Sequence, residues 1–243
     1  GTRDSNVTLF RNDSEAGIRN VAPAGDVDGD GYDDVLMLRQ NPSTAFLVFG
    51  SPSAPAATVE LRTVNTSAFI EIVPPNDSSL ADRMSSGDIN GDGLSDILVR
   101  ADNLSGSGLY VLYGRSRTEW DAAAPTGRYD LRNLTGPSQG RAGDARLSGT
   151  SASQISQDFT TVGDVDGDGF DEVLFSTSAR FHLIYGGPSW PSGDTLLMEH
   201  PLQQEIFSDG SSMATVSAAG DVNGDGFNDL LFANPQLNRV WLL

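Results

Sequence analysis

The chain of 243 residues contains no cysteine, which excludes disulfide bonds, thiolate zinc sites and cysteine nucleophiles. Histidine occurs only twice, at His182 and His200, which leaves little room for a histidine metal site. Lysine is also absent, so that all 15 basic side chains are arginine, against 33 acidic ones. The formal charge of −18 argues against binding to nucleic acid or to an anionic membrane surface, since both need clustered cations.

Long apolar runs are missing as well. No segment approaches the roughly 18–20 uninterrupted apolar residues of a membrane-spanning helix, and we expect no membrane insertion. The segment from Gly1 to Ser5 has no basic-then-apolar leader, so any export signal is expected to have been removed or to lie outside this sequence. The length is enough to bury a real core, and we expect one domain over residues 1–243.

The acidic residues are concentrated in four matching loops. Counted from the first Asp, each reads D-x-[DN]-G-D-G-x-x-[DE], and together the loops hold 16 of the 33 acidic residues. We number the loops 1 to 4 along the chain and the positions within each loop 1 to 9. The loops span 26–34, 88–96, 164–172 and 221–229.

Alternating carboxylates of this kind form an oxygen cage for a hard cation. Ca²⁺ takes six to eight oxygen ligands, whereas Mg²⁺ prefers octahedral sites that keep several waters. Side chains at positions 1, 3, 5 and 9 and the backbone carbonyl of position 7 are the expected donors. The loops are therefore predicted to bind about four Ca²⁺ ions. The predicted ligands are Asp26, Asp28, Asp30, Tyr32 and Asp34; Asp88, Asn90, Asp92, Leu94 and Asp96; Asp164, Asp166, Asp168, Phe170 and Glu172; and Asp221, Asn223, Asp225, Phe227 and Asp229.

The residues after each loop exclude an EF-hand. That motif needs a Glu at position 12 and flanking helices, but position 12 is apolar in all four loops: Met37, Val99, Phe175 and Phe232. These residues lie in apolar runs typical of buried strands. Each loop is therefore predicted to sit on a β-hairpin.

The loops recur at intervals of 62, 76 and 57 residues, which indicates a repeat architecture. A short strand is predicted before each loop and an apolar strand after it. A third strand ends in an aromatic residue and glycine, as at Phe49-Gly50, and a fourth is predicted at 57–62, 127–132 and 194–198. Four antiparallel strands per repeat predict an all-β fold made of propeller blades. The repeats are expected at about 12–63, 64–132, 133–198 and 199–243, the last completed by 6–11.

The loop, the strand after it and the later aromatic-Gly strand resemble the FG-GAP repeats of the integrin α-subunit head and of many bacterial secreted proteins. Phe49-Gly50-Ser51-Pro52 and Tyr185-Gly186-Gly187-Pro188 match the signature turn of that family. The resemblance implies an integrin-like β-propeller with Ca²⁺ between the first two strands of each blade, bound at positions 1, 3, 5, 7 and 9. Glu172, Asn90 and Asn223 depart from the usual Asp, and the last repeat ends where the glycine is expected.

Counting strands bears on how the blades are arranged. The last repeat lacks its fourth strand, and the segment Val7 to Arg11 resembles the fourth strands of the other repeats. The count favours four blades closed by the N-terminal strand. The alternatives are a fragment of a seven-bladed propeller, or strand exchange between neighbouring copies that gives a polymer.

The resemblance implies a secreted or cell-surface recognition or cell-adhesion module with structural calcium and a protein or glycan ligand. Trp120 and Trp190 are candidates for ligand stacking, and the long polar segments 65–87 and 133–158 are candidate binding loops. A strand-exchanging structural subunit is one alternative. A polysaccharide-acting enzyme is another, with Glu119, Glu205 and the pair Glu199–His200 as candidate acids or bases. None of these residues lies in a catalytic motif, and the Gly136–Gly140 match to Gly-x-Ser-x-Gly lies in a polar stretch. We therefore expect no enzyme.

Overall fold

The computed structural model describes residues 9–11, 17–52, 58–61, 68–75, 78–103, 106–134, 144–148, 155, 158–177, 181–188, 190, 193–196, 203–207, 215–235 and 237–243. Strands dominate this part of the chain. The strands are β1 (Leu9–Arg11), β2 (Ile18–Gly25), β3 (Asp34–Arg39), β4 (Thr44–Val48), β5 (Thr58–Glu60), β6 (Phe69–Val73), β7 (Ser79–Gly87), β8 (Asp96–Asn103), β9 (Gly106–Leu112), β10 (Arg128–Asp130), β11 (Ala145–Ser148), β12 (Phe159–Thr161), β13 (Val173–Ser176), β14 (Phe181–Ile184), β15 (Gly193–Leu196), β16 (Gln203–Phe207), β17 (Thr215–Gly220), β18 (Asp229–Asn234) and β19 (Arg239–Leu242). The described residues also form one α-helix, α1 (Arg117–Ala123), and one 3₁₀ helix (Leu131–Leu134).

Four antiparallel sheets follow one another along the chain, and we call them blades 1 to 4. Blade 1 has the order β2-β3-β4-β6, blade 2 the order β7-β8-β9-β11, and blade 3 the order β12-β13-β14-β16. Blade 4 contains β17, β18 and β19. The all-β prediction is confirmed, and the strands expected on either side of each acidic loop are present.

The fourth-strand prediction was wrong for the first three repeats. The segments predicted for that role do form strands, but β10 pairs in parallel with β6 of blade 1, and β15 pairs in parallel with β11 of blade 2. Each is thus a fifth strand on the preceding blade. The antiparallel fourth positions belong to β6, β11 and β16. Two of these, β6 and β11, lie within the long segments that we expected to be binding loops.

Apolar side chains from neighbouring blades interleave. Position 11 of the first three motifs faces the following blade. Leu36 packs in a cluster with Ile97 and Tyr110 of blade 2, and Leu98 packs in one with Phe159 and Phe175 of blade 3. A third cluster joins blades 3 and 4. Positions 10 and 12 face the preceding blade. The blades therefore pack face to face in chain order, as in a propeller, and the core lies between them.

The two ends of this row of blades differ from its middle. Strand β1 pairs in parallel with β5, which is the arrangement of β6 with β10 and of β11 with β15. It thus occupies the place of the fourth strand of a blade before blade 1. Within the described part of the chain, no strand pairs with the outer edge of β19. The expected pairing of the N-terminal strand with blade 4 is therefore not formed there.

Candidate metal centre

All four acidic loops connect the first two strands of their blades, as the sequence predicted. Loop 1 joins β2 to β3, loop 2 joins β7 to β8, loop 3 lies between β12 and β13, and loop 4 joins β17 to β18. Because equivalent ends of successive blades carry them, the loops lie on one rim of the row. Direct contacts between loops 1 and 2, 2 and 3, and 3 and 4 confirm that they are neighbours.

The aspartate at position 1 organises each loop. In loop 1, Asp26 Oδ1 accepts hydrogen bonds from the N–H groups of Gly29 at 2.7 Å and Asp30 at 3.2 Å, and Oδ2 accepts one from Gly31 at 2.9 Å. Gly29 and Gly31 have positive φ values of 75° and 88°, which glycine adopts at no steric cost. Equivalent bonds recur around Asp88, Asp164 and Asp221.

The carboxylate at position 9 links the loop to the end of the third strand. Asp34 accepts hydrogen bonds from Val27 at 2.9 Å and from Gly50 at 2.6 Å. Asp96 and Glu172 make the same pair of bonds in blades 2 and 3. A Cβ on Gly50 would lie 2.5 Å from the carbonyl oxygen of Asp33, so the glycine of the aromatic-Gly turn is needed for this close approach. Sequence reasoning assigned position 9 only to metal binding and missed this structural role.

Loops 1 and 3 each bring three carboxylates together. Oxygens of Asp26, Asp28 and Asp34 lie within 4.8 Å of one another, and those of Asp164, Asp166 and Glu172 do the same. Such a set, all oxygen with no sulfur or imidazole, fits Ca²⁺. Within the described residues, these are the only acidic clusters of that compactness, and Asp30 and Asp168 at position 5 lie outside them.

Loops 2 and 4 differ because position 3 is an asparagine. The amide of Asn90 donates to Asp92 Oδ2 at 3.0 Å, and that of Asn223 donates to Asp225 Oδ2 at 2.9 Å. The amide thus donates to a position-5 carboxylate, a hydrogen bond that an ionised aspartate at position 3 cannot make. Asparagine also removes one negative charge from each of these loops. Loops 2 and 4 therefore attract a cation less strongly than loops 1 and 3.

Burial disfavours the charged form of three position-9 acids, Asp34, Asp96 and Glu172. Desolvation raises the pKa of Asp34 to about 6, and those of Asp96 and Glu172 to about 7, although backbone hydrogen bonds oppose the shift. Desolvation also raises the pKa values of Asp28 and Asp166, to which neighbouring loop carboxylates add. A cation would relieve both penalties.

In loops 2, 3 and 4, the residue at position 7 contacts the preceding loop through its side chain. Leu94 of loop 2 packs on Gly29 of loop 1, and Phe227 of loop 4 packs on Gly167 of loop 3. A Cβ on Gly167 would lie 2.5 Å from the Phe227 ring. The prediction considered only the position-7 carbonyl, so this side-chain contact is a further role that sequence reasoning missed.

Three other candidate residues, Trp120, Trp190 and Glu119, make structural hydrogen bonds. Trp120 lies in α1, is fully buried and donates from Nε1 to the Val27 carbonyl at 3.1 Å. Trp190 is 8% exposed and donates to the Tyr185 carbonyl at 2.7 Å. The prediction that these tryptophans stack on a ligand was therefore wrong. Glu119 accepts hydrogen bonds from Ser116 at the start of α1.

The remaining enzyme candidates fall outside the described parts of the structure. Glu199, His200 and the segment 136–140 lie outside the described residues, as does the side chain of Glu205 in β16. Much of the long polar segment 133–158 is likewise not described. The structure therefore tests none of these as a binding or catalytic position.

Comparison with known protein families identifies two of the blades. The family model of the FG-GAP repeat matches residues 82–112 and 213–243, which cover the β7–β9 hairpins of blade 2 and the β17–β19 hairpins of blade 4. A search of curated proteins finds no match to the chain. In the described residues, no helix combines the length and apolar character needed to cross a bilayer. Blades 1 and 3 repeat the loop geometry of the matched segments, and the chain is thus a repeat protein that carries FG-GAP repeats of the kind found in integrin-like β-propellers.

Proposed function

We propose that the chain is a calcium-binding, propeller-type recognition module that acts outside the cell or at its surface. The observation that carries the proposal is the array of four equivalent acidic loops along one rim, two of which gather three carboxylates within 4.8 Å. The FG-GAP matches at 82–112 and 213–243 support the same interpretation.

Calcium is proposed to have a structural role at this rim. Asp26, Asp28 and Asp34 would hold the ion in loop 1, with Asp164, Asp166 and Glu172 as their counterparts in loop 3. Loops 2 and 4 would bind more weakly through their Asp and Asn oxygens, for a total of about four ions. The bound ion supplies positive charge that offsets the repulsion among these carboxylates.

Metal binding is expected to stabilise the fold as well as the loop. The position-9 carboxylates also hold the ends of the third strands, so the charge state of the loop is linked to the integrity of the blade. A ligand that binds only the native state stabilises it by about 2.7 kcal/mol per site at a free concentration 100-fold above Kd. The millimolar calcium of extracellular fluids suits sites of this type.

A rigid scaffold with ligand-binding connections is the proposed basis of recognition. The blades are held by continuous apolar packing between sheets, and connections on such scaffolds commonly bind partners. The partner is proposed to be a protein or a glycan. The net charge of −18 favours a neutral or basic surface over nucleic acid.

Calorimetry tests the calcium part of the proposal. Chelator-treated protein titrated with Ca²⁺ should take up at least two ions with higher affinity than the rest, and Mg²⁺ should compete poorly. The double variant Asp28→Asn/Asp166→Asn changes one ligand in each compact cluster and should weaken those two sites. Heat signals unchanged by the double substitution would contradict the assignment.

Binding assays test recognition separately. A glycan array and a cell-attachment assay, each run with calcium and with chelator, should give calcium-dependent binding without chemical change to the ligand. Turnover of a bound polysaccharide would instead support the enzyme alternative. Loss of attachment without loss of calcium uptake, in variants of the connections, would separate recognition from metal binding.

A further inference from the structure

We propose that a cavity at the outer edge of blade 1 binds the carboxylate-bearing ring of an acidic sugar, such as a uronic acid. The inference rests on the proposed recognition function, to which it adds a binding site and a ligand class. The cavity has a volume of about 350 Å³, within the range of about 300–1,000 Å³ that is typical of small-molecule sites. Its lining comes from the end of β6, the turn after α1, β10 and the 3₁₀ helix.

Backbone hydrogen bonds between neighbouring elements hold the walls of this cavity. Gly127, with φ +71°, ends the turn after α1, and its N–H donates to the Ala124 carbonyl at 2.7 Å. The carbonyl of Gly127 accepts a bond from the N–H of Glu71 in β6 at 2.9 Å. From Arg128 onward, β10 pairs in parallel with β6. The cavity is therefore formed by one continuous part of the fold and does not need a ligand to create it.

Two arginines form the polar wall of the cavity. Arg128 and Asp130 alternate along β10 and so project from the same side of the strand. The Nε of Arg128 lies 3.0 Å from Glu71 Oε2, and the Nε of Arg132 donates to both carboxylate oxygens of Asp130, at 2.8 and 2.7 Å. Each contact orients a guanidinium group. Because the contact with Glu71 engages the Nε of Arg128, its forked Nη groups are the donors that would bind a carboxylate.

The lining carries positive charge although the chain as a whole has a formal charge of −18. Arg128 and Arg132 share the cavity with one carboxylate, that of Asp130. Glu71, which contacts Arg128, is itself balanced by Arg39 at 2.7 Å. A single carboxylate matches the remaining positive charge, whereas a dianionic phosphate or a polyanion would exceed it. We therefore infer a ligand with one acidic group on an otherwise neutral molecule.

The rest of the lining favours a sugar over a simple carboxylate. The hydroxyl of Thr126 can donate and accept hydrogen bonds, and the carboxylate of Asp130 accepts them, so both suit the hydroxyl groups of a sugar ring. Ala123, Pro125 and Val73 add apolar surface, against which the C–H groups of such a ring can pack. An acidic peptide side chain offers a carboxylate but no ring hydroxyls for Thr126 and Asp130.

Saturation-transfer NMR and calorimetry on the calcium-loaded chain test the inference, with D-glucuronate, D-galacturonate and N-acetylneuraminate as probes. Glucose and acetate are the reference ligands, because glucose has the ring hydroxyls without the carboxylate and acetate has the carboxylate alone. At least one acidic sugar should bind, and both references should bind much more weakly. A wild-type chain that binds none of the three acidic sugars would overturn the inference. Equal affinity for acetate or for a glutamate-containing peptide would overturn it as well.

Substitutions in the lining test the two kinds of contact separately. Arg128→Gln removes the proposed partner of the carboxylate and should weaken binding of the acidic sugar by about tenfold or more. Thr126→Val keeps the charge of the cavity and should weaken sugar binding by roughly threefold, without changing the response to acetate. Circular dichroism melts show whether both variants are folded.

A matched control separates the cavity from a general effect of lost charge. Arg239 is exposed in β19 of blade 4, and Arg239→Gln removes the same charge outside the cavity. This variant should bind the acidic sugar like the wild type. If Arg128→Gln and Arg239→Gln weakened binding equally, the effect would be one of overall charge and the inference would be wrong.

Calcium uptake and the ligand arrays distinguish a failure of this inference from a failure of the proposed function. The substitutions leave the acidic loops unchanged, so the calorimetric titration with Ca²⁺ should be the same in every variant. A chain that binds neutral glycans or a protein but none of the acidic sugars would overturn this inference alone. A chain that binds no glycan and no cell surface would contradict the recognition proposal too.

Discussion

The carboxylate of Asp96 accepts a hydrogen bond from the N–H of Gly114 at 2.8 Å, joining the acidic loop of blade 2 to the end of its third strand. Asp96 also accepts a bond from Ile89 at 3.0 Å and is fully buried. One carboxylate thus connects acidic loop 2 with the aromatic-Gly turn. This contact gives a physical reason why the two motifs occur together in one repeat.

Replacement of Asp96 tests this connection. Asp96→Ala leaves the N–H groups of Ile89 and Gly114 without their acceptor, and an unsatisfied buried donor costs about 1–3 kcal/mol. We expect a loss of about that size in the free energy of unfolding, measured with urea and chelator at pH 5.5, where the acid is mostly protonated and repulsion in the loop is small. Asp92→Ala, in the exposed part of the same loop, should cost less. Equal losses in the two variants would contradict the role assigned to Asp96.

Alanine substitutions at two glycines of loop 2 distinguish the energetic cost of backbone strain from that of a lost contact between loops. Gly91 has φ +73° and is covered by the Phe170 ring, whereas Gly93 has φ +85° and a Cβ there would meet nothing within 4 Å. Both alanine variants incur the cost of a left-handed backbone, roughly 1–2 kcal/mol. Gly91→Ala should lose further stability because it displaces Phe170. Thermal unfolding of the pair measures the difference, and a larger loss for Gly93→Ala would exclude tight packing between loops 2 and 3.

Glu71 of β6 pairs with an arginine of its own blade and with one of the parallel fifth strand, β10. Its buried carboxylate lies 2.7 Å from Arg39 and 3.0 Å from Arg128 of β10. Glu71→Ala leaves the largely buried Arg39 without a carboxylate partner, and breaking a buried ion pair in this way costs about 3–5 kcal/mol. Arg128 is half exposed, so Arg128→Ala should cost less than about 1 kcal/mol. Urea denaturation measures both losses, and a small effect of Glu71→Ala would show that the buried Glu71–Arg39 pair contributes little to stability.

The third position of each loop should set calcium affinity. Asn90→Asp replaces the amide that donates to Asp92 with a fourth carboxylate in loop 2. It should strengthen calcium binding there by about tenfold, or about 1.4 kcal/mol. The reverse change, Asp28→Asn, should weaken loop 1 by a similar factor. Isothermal titration calorimetry of the two variants checks the signs. A decrease in affinity for Asn90→Asp would show that position 3 does not contribute a ligand.

The pH dependence of stability should reverse sign with calcium. Burial raises the folded-state pKa of Asp34 to about 6, and those of Asp96 and Glu172 to about 7. In chelator, the folded state therefore retains protons that the unfolded chain releases above about pH 4, and stability falls as the pH rises from 4 to 7. With saturating calcium, the charged carboxylates bind the ion and stability should rise over the same range. Unfolding midpoints recorded at pH 5, 6, 7 and 8 measure both trends.

The repeated motif allowed the loops and the strands beside them to be located from the sequence. The nine-residue pattern placed each loop between the first two strands of a blade, and the apolar residue at position 12 correctly indicated a strand. Such a local pattern predicts structure well because the loop conformation is determined by hydrogen bonds within the loop. Asp26, for example, accepts hydrogen bonds from Gly29 and Gly31.

Contacts between repeats were harder to predict from the sequence than the loops and their flanking strands. The strand at Arg128–Asp130 was correctly predicted as a strand, but nothing in its residues shows that it pairs in parallel with Phe69–Val73 of the preceding blade. The prediction that Trp120 stacks on a ligand failed because the short helix that buries it has few residues to reveal a helical period. The sequence also did not reveal that the position-9 acid accepts a hydrogen bond from the aromatic-Gly turn. A metal ligand and a hydrogen-bond acceptor both require a carboxylate, so the residue type does not distinguish the two roles.

The parallel strands β10 and β15 each pair with the blade before the one whose third strand they follow in the chain. Successive repeats therefore share strands of the same sheet. Excising the chain between loops 2 and 3 would remove the outermost strand of blade 1, three strands of blade 2 and the first strand of blade 3. The blades should therefore not melt independently, and a break in one should spread to its neighbours. For a tether under mechanical load, such overlap would distribute the tension over several sheets.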